Sequence, residues 1–378
     1  MIDINQYWHN KVFRKIEMIK LATVFSGIGA VEQALKQSNI EHEIVFACDN
    51  GERYLEENYQ DDIEKINNLD FKLREKEINK LYLKLKKENS VKKSYFANYS
   101  IDESRWHEDI RYIDGTKYKD RIDLIVGGSP CQSFSTYGHR KGLDDTRGTL
   151  FYDYARLISE IHPKFFIFEN VTGLVNHDKG NTWETIQRVF NELNYHISFS
   201  VLDAKDFGLP QMRKRLFVVG VRKDISERKF DFPTPIELHK TTEFYLDENI
   251  ELKYYLPRKG FEYVTKKERN EGRARCNREV IGCQTANQQF NWTGDFRIEE
   301  PKEEHFKDNR IYIGDYMGKK SVARKLTPNE CLKLMGFERF NIVVPDQIIY
   351  RQVGNSIAVP VLKAIIFSLQ HQFKEVFD

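Results

Sequence analysis

The sequence lacks the features that mark several protein classes. Its five cysteines are scattered, and no two of them form a C-x-x-C pair. This distribution excludes a zinc cluster and a disulfide framework, and it fits a reducing compartment. No window approaches the roughly 18 apolar residues of a membrane span, and the N-terminal residues contain no apolar run of signal-peptide length. We therefore expect a cytoplasmic protein with no bound metal and no membrane partner.

An excess of one charge is also missing. The chain has 59 Lys and Arg against 57 Asp and Glu, a formal net charge of +2, so any nucleic-acid surface must be local. Internal repeats and low-complexity segments are absent from the sequence. With 378 residues, 40% of them hydrophobic and 31% charged, the chain is long enough for one large domain or two unequal domains.

A strand, a glycine turn, a helix and a second strand are predicted near the start of the chain. The apolar run LATVF is followed by SGIGA, by VEQALKQS with helical spacing, and by EIVFACD. Gly27 and Gly29 would let the backbone turn closely against a ligand, and Asp49 at the end of the second strand could accept both ribose hydroxyls. Because Glu32 takes the place of the third glycine, the pattern is not a full dinucleotide fingerprint. A nucleoside cofactor without a pyrophosphate would not need one, and taken alone such a turn is more often a plain connection between strand and helix.

The loop GGSPCQSFSTYG, residues 127–138, follows the apolar strand IDLIV. Its single cysteine, Cys131, lies beside a proline in a turn rich in glycine and serine, a position suited to nucleophilic attack. Most free cysteines are small buried hydrophobes, so these residues alone leave both interpretations open.

Strands and helices continue to alternate after this loop. The helix in DDTRGTLFYDYARLISEIHP precedes the strand KFFIFENV, which carries Glu169 at its end, and QMRKR places Arg213 and Arg215 between two further strand-like runs. This alternation predicts a doubly wound α/β domain through about residue 221. Residues 59–105 are rich in lysine and glutamate, which indicates one or two helices inserted on its surface.

The character of the sequence changes after residue 232. Residues 251–278 hold nine Lys or Arg against four Glu, interleaved with Tyr254, Tyr255, Phe261 and Tyr263. This pattern is typical of a nucleic-acid surface in a second domain, although exposed charge runs are also commonly just solvated. Further on, RKLTPNECLKLMGF predicts a helix with Thr327 as its N-cap, and QVGNS precedes a buried C-terminal helix.

The motifs FSGIG, FACD, EDI, SPCQ, DTRGTLFYDYAR, FENV, QMRKR, RKLTPNECLKLMGF and QVGNS occur in one order. With them the chain resembles the DNA (cytosine-5) methyltransferases, in particular the bacterial enzymes of restriction-modification systems. The resemblance implies an α/β fold: a Rossmann-like S-adenosylmethionine-dependent methyltransferase domain with a smaller target-recognition domain. The implied divisions are a large domain over residues 1–228 with its insert at about 59–105, a recognition domain over 229–325, and a segment over 326–378 that completes the large domain.

The resemblance also implies the catalytic residues. Cytosine C5 is a poor nucleophile until the thiolate of Cys131 adds to C6. Glu169 would hold the base at N3 and the exocyclic amine, Arg215 would hold its carbonyl oxygen, and Arg213 would brace the catalytic loop. An ordinary cysteine has a pKa of about 8.5, so deprotonation needs help from its surroundings. We expect residues 127–141 to close over the flipped base.

For S-adenosylmethionine, the resemblance implies that Phe25 stacks on the adenine, that Gly27 and Gly29 allow close approach, and that Asp49 binds the ribose. Asp109 would accept from the adenine amine. The remaining implied cofactor contacts are Ile110, Pro130, Leu150, Asn355 and Ser356.

The implied partner is double-stranded DNA, bound by a monomer between its two domains. A cognate restriction endonuclease encoded nearby is expected to form no stable complex with it. A tRNA cytosine-5 methyltransferase of the same fold would lack a sizeable recognition domain. A catalytically silent DNA-binding protein would not need Cys131, Glu169 and both arginines, and the missing third glycine disfavours a nicotinamide-dependent oxidoreductase.

Overall fold

The structure is a computed structural model that describes residues 18–129, 150–266 and 273–377. The chain divides into two compact units. The first comprises the described residues within Met1–Leu202, Lys214–Thr234 and Val361–Asp378, and the second comprises those within Asp203–Arg213 and Pro235–Pro360.

The first unit is built on a seven-stranded sheet. Its strands are β1 (Ile19–Val24), β2 (His42–Cys48), β3 (Trp106–His107), β4 (Leu124–Gly127), β5 (Phe165–Val171), β6 (Tyr195–Asp203) and β7 (Lys214–Arg222). They lie in the order β3-β2-β1-β4-β5-β7-β6. The five strands from β3 to β5 in this order are parallel, and β7 runs antiparallel to β5. The strand order reverses between β1 and β4, which confirms the predicted doubly wound α/β arrangement.

Helices connect these strands. They are α1 (Ala30–Gln37), α2 (Glu56–Asn67), α3 (Phe71–Lys84), α4 (Ser90–Phe96), α5 (Leu150–Ile161) and α6 (Asn181–Glu192), with α10 (Val359–Gln372) and α11 (Lys374–Phe377) at the C-terminal end. Short 3-10 helices span Glu103–Arg105, Ile110–Tyr112, Gly115–Tyr118 and Thr172–Gly180.

The apolar runs of the sequence become the core of this unit. Strand β4 and the first four residues of β5 are continuous apolar runs because both faces of a parallel sheet are covered. Phe166 and Phe168 of β5 pack against Phe151 and Tyr154 of α5 and against Phe190 of α6. These aromatic rings fix the helices to the sheet at its centre.

The lysine- and glutamate-rich segment forms three helices, α2, α3 and α4, where the sequence predicted one or two. Asn89 ends the connection between α3 and α4 because its side chain accepts a hydrogen bond from the Lys92 amide and so caps α4. Apolar residues on the inner faces of α2 and α3 form a small core of their own. This core contains Leu55, Ile63, Ile66, Ile78, Leu81, Tyr82 and Tyr112.

The second unit contains a four-stranded sheet in the order β10-β11-β9-β8. Its strands are β8 (Ala274–Cys276), β9 (Gly294–Glu299), β10 (Gly314–Tyr316) and β11 (Lys319–Lys325), and its helices are α7 (Arg258–Thr265), α8 (Pro328–Lys333) and α9 (Asp346–Asn355). Its 3-10 helices span Ala204–Phe207, Thr242–Tyr245, Leu252–Tyr254, Phe290–Trp292 and Glu303–Lys307. The predicted start of α8 is confirmed, because Thr327 and Glu330 form a reciprocal capping box.

The aromatic residues of the basic run lie elsewhere than the sequence pattern suggested. Tyr254, Tyr255 and Phe261 are buried in the second unit, and the Tyr263 ring packs against Trp292. They therefore serve as core residues of this unit, and the interleaving of basic and aromatic residues is no sign of an exposed stacking surface here.

The boundaries of the two compact units differ from the predicted domain boundaries. Residues 326–360 belong to the second unit, and only residues 361–378 join the first. The division into a catalytic and a recognition domain stays a prediction about function. Within the described residues, the stretch Asp346–Gln372 has the length and apolar composition of a membrane span, but 61% of its apolar window is buried inside the protein, as for core helices.

Candidate active site

The ends of five parallel strands bring most of the predicted site residues of the first unit to one edge of the sheet. Phe25 follows β1, Asp49 follows β2, Asp109 follows β3, Gly128 follows β4, and Glu169 lies near the end of β5. The centre of this edge is the point between β1 and β4 where the strand order reverses. Ligands of open α/β sheets bind in the crevice at such a point.

The turn after β1 has an unusual backbone. Phe25 has a φ of +54°, which is uncommon for a bulky residue, and strained backbone of this kind concentrates at functional sites. The neighbouring Ser26 fixes the turn to β2, because its hydroxyl accepts from the Cys48 amide at 3.0 Å and donates to the Cys48 carbonyl at 3.1 Å. The turn is thus held rigidly at the sheet edge.

The two glycines of this turn differ in their surroundings. Both have positive φ values, +53° at Gly27 and +76° at Gly29. A Cβ atom on Gly27 would come no closer than 4.0 Å to another atom, whereas one on Gly29 would lie 2.1 Å from the ring of Tyr99. Space for a ligand is therefore open at Gly27, and Gly29 is required by the tyrosine packed on it. The expected cofactor contact at Gly29 stays a prediction.

Asp49 connects this turn to the end of β2. One carboxylate oxygen accepts the Gly27 amide at 2.9 Å, and the other accepts the Gly51 amide at 2.8 Å. Burial raises the pKa of Asp49 from its ordinary value, although the amide hydrogen bonds from Gly51 and Gly27 oppose the shift. Each oxygen keeps a further lone pair, so the fixed carboxylate and the open space at Gly27 fit a nucleoside with two ribose hydroxyls.

Asp109 is held by several donors. Tyr82 donates its hydroxyl to Oδ2 at 2.8 Å, and the Arg111 guanidinium donates to Oδ2 at 2.7 Å and to Oδ1 at 3.0 Å. The Arg111 amide also donates to Oδ1, as in a helix cap. The Asp109 carboxylate therefore already accepts hydrogen bonds from Tyr82 and Arg111, and an adenine amine would be an additional donor to it. Ile110 is buried beside it, and Leu150, the first residue of α5, is partly buried against the core of the first unit.

Glu169 and Arg215 form an ion pair at the other end of the site. The register of β5 and β7 places Val171 opposite Arg215, so the Arg215 side chain reaches Glu169, with Nε 3.2 Å from Oε1. Both side chains are mostly buried, at 17% and 14% exposure, which strengthens the electrostatic interaction. The guanidinium also donates to the Lys214 carbonyl.

The entry to the SPCQ loop is fixed beside Glu169. Asn170 donates its side-chain amide to the Ser129 carbonyl at 2.9 Å, and a Cβ atom on Gly128 would lie 2.6 Å from the Glu169 carbonyl oxygen. The ends of β4 and β5 are therefore in close contact. Pro130 and Cys131 follow directly in the chain and lie outside the described residues, as does the rest of the predicted lid up to residue 141.

Arg213 belongs to the second unit and is 3% exposed. Its guanidinium donates to the carbonyl of Gln284 at 2.7 Å, to that of Gly354 at 3.1 Å and to that of Ser356. It thus stabilises the QVGNS turn, where Ser356 is buried and Asn355 is exposed. A brace to the catalytic loop and the cofactor contacts at Asn355 and Ser356 stay predictions.

The sequence interpretation missed several residues that shape this site. Ser26 and Asn170 lie inside recognised motifs, so the motifs themselves were the available signal. Tyr82, Asn89 and Tyr99 lie in the lysine- and glutamate-rich segment, where no local pattern distinguishes them from other polar or core residues.

Comparisons with known proteins agree on one family. The family model described as C-5 cytosine-specific DNA methylase matches residues 66–371. The chain is 39% identical over 277 residues to the type II methyltransferase M1.ScrFI of Lactococcus lactis subsp. cremoris, covering 72% of this chain and 67% of that protein. It is 37% identical over 283 residues to the type II methyltransferase M.SsoII of Shigella sonnei, covering 73% and 70%.

Solved structures give the same picture for the fold. The structure of the S. pombe Dnmt2 methyltransferase superposes with a TM-score of 0.64 and 18% sequence identity, covering 94% of this chain and 99% of that chain. At this identity the likeness concerns the fold alone, and it confirms the predicted Rossmann-like α/β architecture.

Proposed function

The chain belongs to the C-5 cytosine-specific DNA methylases, and from that membership we propose that it methylates C5 of a cytosine flipped out of duplex DNA. The observation that carries the proposal is the mostly buried pair of Glu169 and Arg215, which lies beside the entry to the SPCQ loop at the end of β5. Its position suits a base that enters from above the sheet edge.

Cys131 is the proposed nucleophile. Its thiolate forms a bond to C6, and the electron pair of the C5–C6 double bond becomes available at C5. S-adenosylmethionine, when bound, would supply an electrophilic methyl group to C5, with S-adenosylhomocysteine as the leaving group. A base then removes the C5 proton, the double bond re-forms, and Cys131 leaves as thiolate.

Glu169 and Arg215 activate the cytosine ring for nucleophilic addition at C6. Glu169 holds N3 and the exocyclic amine, and a proton at N3 stabilises the charge that the addition places on the ring. The planar guanidinium of Arg215 offers fixed donors, which would stabilise the base carbonyl oxygen without proton transfer. Because the two side chains already contact each other, little reorganisation accompanies catalysis.

The methyl donor is proposed to lie over the turn after β1. Asp49 would bind the ribose, Phe25 would contact the adenine, and the open space at Gly27 would allow close approach. Arg213 would brace the catalytic loop, and residues 229–325 would form the target-recognition domain. Residues 127–141 would close over the flipped base and exclude water.

The biological setting follows from the relatives, which are named type II methyltransferases. We propose a cytoplasmic monomer that acts on double-stranded DNA as the modification half of a restriction-modification system, with its cognate endonuclease in no stable complex. The matching family is described as a DNA methylase, which does not support the tRNA methyltransferase alternative. A catalytically silent DNA-binding protein would not need the Glu169–Arg215 pair.

The activity is tested with radiolabelled S-adenosylmethionine and duplex DNA that carries all short cytosine-containing sites. Bisulfite sequencing of the product locates the methylated cytosine. We expect label at C5 of one cytosine within one recognition sequence. Duplex DNA that stays unlabelled at every site would refute the proposal.

A trapping experiment tests the nucleophile. In duplex DNA with 5-fluorocytosine at the methylated position, fluorine replaces the C5 proton and cannot be removed by a base. The final elimination of the Cys131 thiolate is therefore blocked, and we expect a covalent protein–DNA adduct. Cys131→Ser should form none, whereas the matched control Cys276→Ser, a partly buried free thiol in the second unit, should form it as the wild type does. Glu169→Gln should lower the rate about 10²-fold to 10⁴-fold. An adduct with Cys131→Ser would overturn the assignment.

A further inference from the structure

The helical segment between β2 and β3, residues 56–99, contacts the proposed donor site at three separate points. Its helices α2, α3 and α4 present lysine and glutamate to solvent, yet three inward-facing polar side chains reach the ends of β1, β2 and β3. These side chains belong to Tyr82, Asn89 and Tyr99.

Tyr99 fixes the turn after β1. Its hydroxyl reaches the carbonyls of Ile28 at 3.1 Å and Gly29 at 2.7 Å, and its ring packs so closely on Gly29 that no side chain fits there. The neighbouring Tyr95 donates to Glu32 in the first turn of α1. The second half of the glycine turn and the first turn of α1 are therefore attached to α4 and the residues that follow it.

Tyr82 fixes the carboxylate after β3. It is buried in α3, and its hydroxyl donates to Asp109 at 2.8 Å on the oxygen that also accepts from Arg111. The guanidinium of Arg53 lies 5.0 Å from the centre of the Tyr82 ring and forms an ion pair with Glu108. These contacts hold the tyrosine itself in one orientation.

Asn89 fixes the backbone after β2. Its side-chain amide donates to the Asp49 carbonyl at 2.8 Å and to the Glu108 carboxylate at 2.8 Å, while its oxygen caps α4. The same segment thus contacts Asp49, Asp109 and residues 28–29, which are distant in sequence. A segment that only covered the core would not need polar contacts at all three points.

We propose that Tyr82 and Tyr99 are positioning residues that set the geometry of the methyl-donor site through Asp109 and the glycine turn. The inference rests on the proposed function, because it assumes that S-adenosylmethionine binds at this edge of the sheet. The helical segment is then part of the donor site and determines its affinity, although it contributes no catalytic group.

Tyrosine-to-phenylalanine variants separate this role from simple packing, because the ring stays and only the hydroxyl is lost. The measurements are titration calorimetry of S-adenosylmethionine with the full-length protein, steady-state kinetics, and thermal unfolding. For Tyr99→Phe and Tyr82→Phe we expect the dissociation constant and the KM for S-adenosylmethionine to rise about fivefold to tenfold, which corresponds to one or two lost hydrogen bonds. We expect kcat and the KM for DNA to stay within about twofold.

Tyr195→Phe is the matched control. Its buried hydroxyl also donates to a main-chain carbonyl of the first unit, that of Pro163 at 2.6 Å, but this contact precedes β5 and lies away from the strand ends of the proposed site. It should lower the melting temperature like the other variants and leave the affinity for S-adenosylmethionine unchanged. Equal weakening by Tyr195→Phe, or wild-type affinity in both test variants, would overturn the positioning role alone. A wild-type protein that binds no S-adenosylmethionine would overturn the proposed function and this inference together.

Discussion

Replacing Gly29 by alanine should destabilise the first unit more than the same change at Gly27, and the structure allows the difference to be estimated. Both residues have a positive φ, so alanine at either position costs about 1–2 kcal/mol of unfolding free energy for a left-handed backbone. At Gly27 that is the whole cost, because no atom lies closer than 4.0 Å to the added Cβ.

At Gly29 a steric cost is added. The Cβ would lie 2.1 Å from a ring carbon of Tyr99, whose hydroxyl is fixed by two carbonyls and whose ring contacts Tyr95 at a centroid distance of 4.9 Å. Overpacking of this kind costs about 1–3 kcal/mol. The total for Gly29→Ala is therefore about 2–5 kcal/mol, against about 1–2 kcal/mol for Gly27→Ala.

Calorimetric unfolding of both variants, each also in a Tyr99→Leu background, tests this reasoning. Leucine lacks the ring atoms nearest to the added Cβ, so in that background the cost of Gly29→Ala should fall to that of Gly27→Ala. For a unit of this size, 1 kcal/mol shifts the melting temperature by roughly 2–4 °C. If Gly29→Ala costs the same with and without the tyrosine ring, the close packing on Gly29 is not the reason for the glycine.

Two further predictions concern stability. Glu330→Ala should lower the unfolding free energy of the second unit by about 3–5 kcal/mol, because it removes the bidentate partner of the buried Arg324 guanidinium and breaks the capping box with Thr327. The partly exposed Glu299 stays as the remaining carboxylate partner of Arg324. Removal of the exposed Glu303 should cost under about 1 kcal/mol, and equal shifts of the two variants in calorimetry would contradict this reasoning. Burial raises the pKa of Asp153 to about 6, although the nearby charge of Arg156 opposes this shift. The protonated Asp153 side chain therefore contributes stability to the folded protein below the unfolded-state pKa. This contribution is lost as the pH rises through 6. Relative to Asp153→Asn, the wild type should lose about 2 kcal/mol between about pH 4 and about pH 7 in urea unfolding, and parallel pH profiles would refute the shift.

The parts of the fold that the sequence predicts are those with short-range causes. The apolar runs of β1, β2 and β5 and the capping box at Thr327 and Glu330 each depend on residues within a few positions of one another. Glu169 could be placed at a strand end because an apolar run stops beside it. These predictions needed no knowledge of which segments meet in space.

Contacts between distant segments had no such signal. Tyr82 and Asp109 are 27 residues apart, and Arg213 is 141 residues from Gly354. The basic run likewise gave no signal of burial, since its aromatic residues Tyr254 and Phe261 are core residues of the second unit. Composition records which side chains are present in a segment, and only packing decides which of them face inward.

The QMRKR motif spans the start of a strand. Residues two apart project to the same face only where both lie within one strand. Strand β7 begins only at Lys214, however, and Arg213 lies in the segment Asp203–Arg213 of the second unit. Arg213 therefore donates to carbonyls around the QVGNS turn, while Arg215 pairs with Glu169 in the first unit. Within this one motif, Arg213 therefore stabilises the second unit, and Arg215 supplies a charged group to the proposed base pocket of the first unit. The two arginines differ in this way because β7 starts between them.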